Sequence, residues 1–341
     1  VNFGDEVGFL GIATHPDFSG TGYVYLFYTS AVTMNDEVVR YYWNGERFLA
    51  RNSIFTVSGE GLSFHRGGII TFGPDRKLYM VIGDHFLNLM TTNRATYPHK
   101  EFACILRLND DGSTPSDNPF IAVPGWERIF AYGIRNSFGI AFDPLTGQLW
   151  ETENGTNRYD EVNRVFPGMN GGWNRITGPD YRSPLNPADL VMIPGSSYSN
   201  PEFSWSFTVV PTAITFLNSP RWPASVRDDC LIALASTSHF DGIIRLDMND
   251  DRSGFRLIEG FADGVADFND DYLFSTLSFA DVPSVTDLKI GPDGYIYAVS
   301  LEPSGKITRI RPRFPMGDIN LDQNVTEDDM PLFFDLVLGN S

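Results

Sequence analysis

The sequence predicts an all-β chain, a β-propeller built from four-stranded antiparallel blades, followed by a short tail of different character. Three observations predict it. A strand–turn–strand phrase recurs along the chain, little before residue 326 has a helical pattern, and the composition changes after Arg313-Phe-Pro.

The phrase first occurs as Leu10-Gly-Ile-Ala-Thr-His-Pro-Asp-Phe, followed by Gly22-Tyr-Val-Tyr-Leu-Phe-Tyr. It returns as Ile70-Thr-Phe-Gly-Pro-Asp-Arg-Lys-Leu-Tyr-Met-Val-Ile-Gly-Asp and as Ile140-Ala-Phe-Asp-Pro-Leu-Thr-Gly-Gln-Leu-Trp-Glu-Thr-Glu. A degenerate copy runs from Ile214-Thr-Phe-Leu to Asp229-Cys-Leu-Ile-Ala-Leu-Ala, and the last is Leu288-Lys-Ile-Gly-Pro-Asp-Gly-Tyr-Ile-Tyr-Ala-Val-Ser. Each copy alternates apolar residues at period two, breaks at a Pro/Asp/Gly turn and alternates again, the pattern of a half-buried β-hairpin. The Pro-Asp or Asp-Pro pairs begin at residues 16, 74, 143 and 292, so the steps are 58, 69 and 149, the last spanning the weak copy. A period of about 60–75 residues suits one four-stranded blade with long loops. Five copies imply about five blades in the chain. The first starts only ten residues in, so an N-terminal strand or blade is expected upstream of Val1.

Composition narrows the partners. The chain has 341 residues, 42% hydrophobic, enough for a large core, and a net charge of −18 that disfavours nucleic acid and anionic membranes. The two cysteines, Cys104 and Cys230, lie in apolar runs and read as buried thiols rather than a disulfide. No apolar run reaches 18 residues, so no membrane-spanning helix is expected. The chain opens at Val1 without Met and reads as a mature or truncated product, which leaves a signal peptide undecided.

The tail begins Gly317-Asp-Ile-Asn-Leu-Asp-Gln-Asn-Val-Thr-Glu-Asp-Asp. Counting Asp318 as position 1, side-chain oxygens fall at 1 (Asp318), 3 (Asn320), 5 (Asp322) and 12 (Asp329), the spacing that wraps a loop around a hard cation such as calcium. Position 6, normally glycine, is Gln323. Thr326 to Leu338 reads as a short amphipathic helix with Met330, Phe333, Phe334, Val337 and Leu338 apolar. The segment resembles one half of a dockerin type I repeat. That resemblance implies a cohesin-like or cell-surface partner and an extracellular setting where calcium is plentiful. An acidic disordered terminus is the competing reading. The expected division is therefore 1–313 for the propeller and 316–341 for the tail.

Propeller loops converge on one mouth of the ring, so polar residues flanking core strands are the site candidates. Four clusters stand out: His65-Arg-Gly-Gly, Gly83-Asp-His, Tyr132-Gly-Ile-Arg-Asn, and Glu153-Asn-Gly-Thr-Asn-Arg-Tyr-Asp-Glu-Val-Asn-Arg. From spacing alone Asp84 reads equally as a turn cap and His65 as a surface-loop residue.

Taken together with Phe9-Leu-Gly-Ile-Ala-Thr-His-Pro-Asp-Phe, Asp117-Asn-Pro-Phe, Met169-Asn-Gly-Gly-Trp and Ser204-Trp-Ser-Phe-Thr, these clusters resemble the glucose/sorbosone dehydrogenase family over residues 4–311. The resemblance implies a six-bladed β-propeller that binds pyrroloquinoline quinone (PQQ) and calcium and oxidises aldose sugars at C1. It implies a secreted, periplasmic or cell-surface setting. Position by position, it makes His65 the general base, Asp84 the carboxylate that orients it, and Arg135 the cation beside the quinone. Asn136 becomes a cofactor hydrogen-bond donor, and Glu6 takes a place on the substrate and cofactor side. The backbone carbonyls of Gly155 and Thr156 become the propeller calcium ligands, with Thr156 replacing the usual proline.

The chain departs from that pattern on the late blades. There the family holds the cofactor's carboxylates with a lysine and two arginines. The lysine position is His239 and the paired arginine positions are Ser284 and Thr286. Each lost charge-assisted hydrogen bond is worth about 1.5–3 kcal/mol. Arg66 and Lys289 are the nearby cations offered as substitutes. Two functions follow: a PQQ- and calcium-dependent aldose dehydrogenase, or a non-catalytic secreted propeller that binds carbohydrate or a protein partner at the cell surface.

Overall fold

The computed structural model describes residues 4–59, 61, 63–87, 93, 101–236, 240–267, 277–301 and 305–312. The tail carrying Asp318, Asn320, Asp322 and Asp329 lies outside the described residues, as does His239.

The described residues form five sheets in chain order. The first is an antiparallel meander of β1 (Phe9–Thr14), β2 (Tyr23–Thr29), β3 (Asp36–Trp43) and β4 (Phe48–Val57). The second holds β5 (Gly67–Phe72), β6 (Leu78–Ile82), β7 (Cys104–Leu108) and β8 (Ile129–Tyr132), extended by the short β12 (Met169–Asn170) and β13 (Ser197–Tyr198). The third holds β9 (Ser137–Phe142), β10 (Leu149–Glu153) and β11 (Asp160–Val165), then β14 (Phe203–Trp205) and β18 (Val265–Ala266). The fourth is β15 (Pro211–Phe216), β16 (Cys230–Ser236), β17 (Phe240–Leu246) and β19 (Ser278–Ala280), and the fifth β20 (Val285–Ile290), β21 (Ile296–Ser300) and β22 (Lys306–Ile310). These five sheets correspond to the five sequence copies, and the architecture is all-β and propeller-like. A count of six blades stays an expectation of the resemblance.

Period-two alternation is what stacks the sheets. Within β6, Leu78, Met80 and Ile82 enter a core shared with Tyr25, Phe27 and Val38 of the first sheet. The intervening Tyr79 and Val81 enter a second core with Ile140 and Leu149 of the third. Likewise Cys230, Ile232 and Leu234 of β16 pack toward Trp150 and Val162, while Leu231 and Ala233 pack toward Val285, Leu288 and Ala298. A strand sandwiched between neighbours on both faces buries every side chain, which is why β6, β7 and β10 are buried at each position. Cys104 and Cys230 are free thiols, each buried in a different inter-sheet core.

The recurring Asp sets the turns. Asp75 accepts the Lys77 N–H and the Tyr79 hydroxyl, at 3.1 and 2.9 Å. Asp293 does the same for Tyr295 and Tyr297, at 3.2 and 2.8 Å. In the Asp-Pro copy, Asp143 accepts from Leu145 and Thr146, at 3.0 and 2.8 Å. The Asx turn is thus the physical content of the repeat.

Candidate active site

Loops leaving β4, β6, β8 and β10, with the segment before β1, meet at one place. His65 precedes β5 in the left-handed region, at φ 58°. Gly83 follows β6, and a Cβ there would sit 2.0 Å from the His65 carbonyl oxygen, so only glycine allows the two strand ends to approach this closely. That approach brings Asp84 Oδ1 to 2.6 Å from His65 Nδ1. The same oxygen accepts the Phe86 N–H at 2.9 Å, and Oδ2 accepts the Trp173 indole N–H at 2.9 Å. Both members of the pair are buried, each 5% exposed.

Arg135 and Asn136 sit on the β8–β9 connection. The Asp84 N–H donates to the Arg135 carbonyl at 2.9 Å, tying this loop to the dyad. The Arg135 guanidinium donates to the Asn154 carbonyl at 2.7 Å and lies 5.5 Å from the centre of the Trp173 ring. Burial lowers its pKa, opposed by the negative charges of Asp84, Glu153, Asp160 and Glu6. Glu6 is a brace: one carboxylate oxygen accepts the His65 N–H at 2.6 Å and the Asn136 amide at 3.1 Å.

The loop after β10 is shaped by Asp160, whose carboxylate accepts from Gly155 N–H at 2.8 Å and from the N–H groups of Val209 and Val210 at 2.7 and 2.8 Å. Burial pushes its carboxyl up to about 6. Among the described residues no group of three or more His, Cys, Asp or Glu side chains is arranged to hold a metal ion. A calcium at Gly155 and Thr156 would therefore rest on backbone carbonyls.

The structure brings together His65, Asp84, Arg135, Asn136 and Glu6, five of the residues singled out from sequence. Among the described residues, no cation is bonded to the late-blade positions Ser284 and Thr286. The Ser284 N–H donates to the Asp241 carboxylate at 2.5 Å, and the Thr286 hydroxyl is bonded to the Val299 carbonyl at 3.3 Å. The offered substitutes are engaged elsewhere. Arg66 is 2% exposed and paired with the fully buried Asp36 at 3.0 Å, and Lys289 pairs with Asp287 at 3.0 Å. Sequence reading assigned no role to Trp173 or Phe86. Their signals were the Gly-Gly-Trp turn and an aromatic two residues past a candidate carboxylate.

The glucose/sorbosone dehydrogenase profile ("Glucose / Sorbosone dehydrogenase") matches residues 1–309. The chain belongs to this family. An uncharacterised protein of Synechocystis is 29% identical over 327 residues, covering 89% of this chain and 70% of that protein. Aldose sugar dehydrogenase YliI of Escherichia coli is 29% identical over 254 residues, covering 73% and 60% of the two chains. Quinoprotein glucose dehydrogenase B of Acinetobacter calcoaceticus is 34% identical over 196 residues, covering 50% of this chain and 40% of that enzyme. The chain thus spans less than two thirds of either named dehydrogenase. Human Hedgehog-interacting protein is 28% identical over 163 residues, 41% of this chain and 23% of that one. Among solved structures, a putative oxidoreductase (glucose dehydrogenase) of Thermus thermophilus superposes with a TM-score of 0.71 at 25% identity, covering 91% and 85% of the chains. The PQQ-bound aldose sugar dehydrogenase of Streptomyces coelicolor has the same fold, with a TM-score of 0.64 at 22% identity over 91% and 81%.

Proposed function

We propose that this protein oxidises aldose sugars at the C1 hydroxyl to the lactone, with PQQ and calcium and with His65 as general base. The His65–Asp84 pair beside Arg135 is the observation that carries this reading. An imidazole titrates near neutrality, and a carboxylate on Nδ1 leaves Nε2 as the basic nitrogen. No hydrogen bond to His65 Nε2 forms among the described residues. Two buried polar atoms beside the pair, Arg135 Nε and Asn136 Oδ1, have no hydrogen-bond partner. The Arg135 Nε–H fits a quinone carbonyl, and Asn136 Oδ1, an acceptor whose own amide N–H is given to Glu6, fits a hydroxyl or ring N–H donor, whereas Ser284, Thr286 and Asp241 offer the cofactor's carboxylates no guanidinium.

When bound, PQQ would supply the acceptor for the hydride lost from C1. His65 takes the proton lost from the C1 hydroxyl onto Nε2. Asp84 holds the Nδ1–H and balances the imidazolium, and Arg135 places positive charge where negative charge develops. Phe86 lies against the base, ring centroids 4.8 Å apart, and is 38% exposed. An exposed aromatic face in this position suits the C–H face of a pyranose. Phe86→Ala is expected to raise KM for aldoses about tenfold with kcat changed less than threefold. A fall in kcat with KM unchanged would assign Phe86 to the dyad's geometry instead.

The first experiment is a titration with PQQ in millimolar calcium, followed by an aldose panel with an artificial electron acceptor. Binding is expected about 10²–10⁴-fold weaker than in a relative carrying both arginines, and Thr286→Arg is expected to tighten it. Sugar-dependent acceptor reduction supports the dehydrogenase. Its absence at saturating PQQ overturns it in favour of a second reading, a recognition propeller for carbohydrate or a protein partner at the cell surface. The neutral and acidic groups at Ser284, Thr286 and Asp241 favour that alternative. The tail's calcium loop and its cohesin-like or cell-surface partner belong to the proposal for residues 316–341, testable by calcium binding to the whole chain with Asp318→Ala as control.

A further inference from the structure

We propose that Trp173 is the positioning residue of the His65–Asp84 pair, holding the carboxylate through its indole N–H while its ring face carries Arg135. This rests on His65 being the base, yet it is testable without turnover. Among the described residues Asp84 meets three donors: His65 Nδ1 at 2.6 Å, Phe86 N–H at 2.9 Å and Trp173 Nε1 at 2.9 Å. The last comes from farthest along the chain, 89 residues away, on the connection between β12 and β13 of the same sheet. Trp173 is itself fixed. It is 5% exposed, its N–H donates to the Gly133 carbonyl at 3.0 Å, and its carbonyl accepts the Asn93 amide at 2.7 Å. Asn93 is in turn locked to Asn170 by reciprocal amide bonds of 2.9 and 2.6 Å.

An indole N–H can only donate, so Asp84 Oδ2 serves it as an acceptor. That fixes the carboxylate's rotation, presents Oδ1 to the imidazole, and draws charge away from the oxygen facing Nδ1. The same ring lies beneath the Arg135 guanidinium, 5.5 Å from the ring centre, and Asp84's charge acts on that guanidinium. The other charges around the pair are Glu6, bonded to the His65 backbone, with Glu153 and Asp160 facing Arg135.

Trp173→Phe keeps the ring and removes the donor. In the cofactor-free protein, imidazole ¹⁵N NMR resolves five histidines, His65 being assigned by its absence in His65→Gln. The carboxylate, relieved of its donor, pulls harder on Nδ1–H, so the His65 titration midpoint is expected to move up by about one pH unit relative to the parent. The acid limb of the kcat–pH profile is expected to move with it. In an Asp84→Asn background the Trp173→Phe effect is expected to vanish. A folded Trp173→Phe with an unmoved midpoint overturns the proposal, as does an equal shift in the Asp84→Asn background. If Trp173→Phe does not fold, 5-fluorotryptophan labelling, which makes the indole N–H a stronger donor, is expected to move the midpoint down, and no movement overturns the proposal. A shifted midpoint in a protein that turns over no aldose would leave the positioning role standing and remove the dehydrogenase reading.

Discussion

His65→Ala is expected to lower kcat for aldose oxidation by about 10²–10⁴-fold while the protein stays folded and its affinity for PQQ changes little. The fold survives because the substitution orphans no partner. Asp84 keeps the Phe86 N–H on one oxygen and the Trp173 indole on the other, and Glu6 still accepts the backbone N–H of residue 65. Asp84→Ala is the harsher change for stability, because it strands a buried indole N–H and a buried imidazole N–H together. Steady-state kinetics and thermal melting on both variants separate the two effects. Unchanged turnover in His65→Ala would remove it as the base, whatever the cofactor result.

Thermal stability is expected to fall as pH rises from about 4.5 to 8, the second large effect. β10 and β11 place Glu151 opposite Asn163 and Glu153 opposite Glu161, so buried carboxyls line one stretch of sheet. Asn163 bridges Glu151 and Glu161 at 2.9 and 3.1 Å, and neither Glu151 Oε2 nor Glu153 Oε2 has a partner. Burial pushes Glu151 to about 8 and both Glu161 and Glu202 to about 7, with neighbouring carboxylates adding to the shift of Glu151. Groups whose folded values are raised bind protons more tightly when folded. Their stabilisation is complete below the unfolded value of 4.5 and is lost as pH climbs through the folded values. Calorimetry in metal-free buffer is expected to show Tm lower by about 5 °C at pH 8 than at pH 5. Glu151→Gln, neutral at every pH, is expected to flatten that slope and to raise Tm at pH 8 alone. A Tm constant or rising over this range would mean the carboxyls are not buried uncharged.

Alternation and turn chemistry made the sheets legible in advance because both are local. Tyr79 and Met80 must face opposite ways, and Asp75 closes its turn with groups two and four residues on. The His65–Asp84 pair came from the resemblance, since spacing alone left Asp84 a turn cap and His65 a surface-loop residue; in the structure the two flank one hairpin whose ends Gly83 brings together. The place of Trp173 was not legible in advance. Its indole meets Asp84 across 89 residues of chain, and nothing in the Gly-Gly-Trp turn says where that ring will point. Arg66 shows the converse. Beside the candidate base in sequence, it is buried and paired with Asp36 in the first sheet.

By itself, the sequence determined the all-β class, the hairpin repeat with its Pro/Asp/Gly turns, and the residue types able to move a proton beside a cation. Those follow from side-chain period, backbone propensity and intrinsic chemistry, which act over a few residues. Only the tertiary structure decided which groups share a site. It gave Asp84 to His65 and Trp173 together, committed Arg66 and Lys289 elsewhere, and set Asp241 against Ser284 where a cation clamp would stand. Hydrogen bonding and charge act through space over a few ångströms, and the stacking of sheets sets those distances.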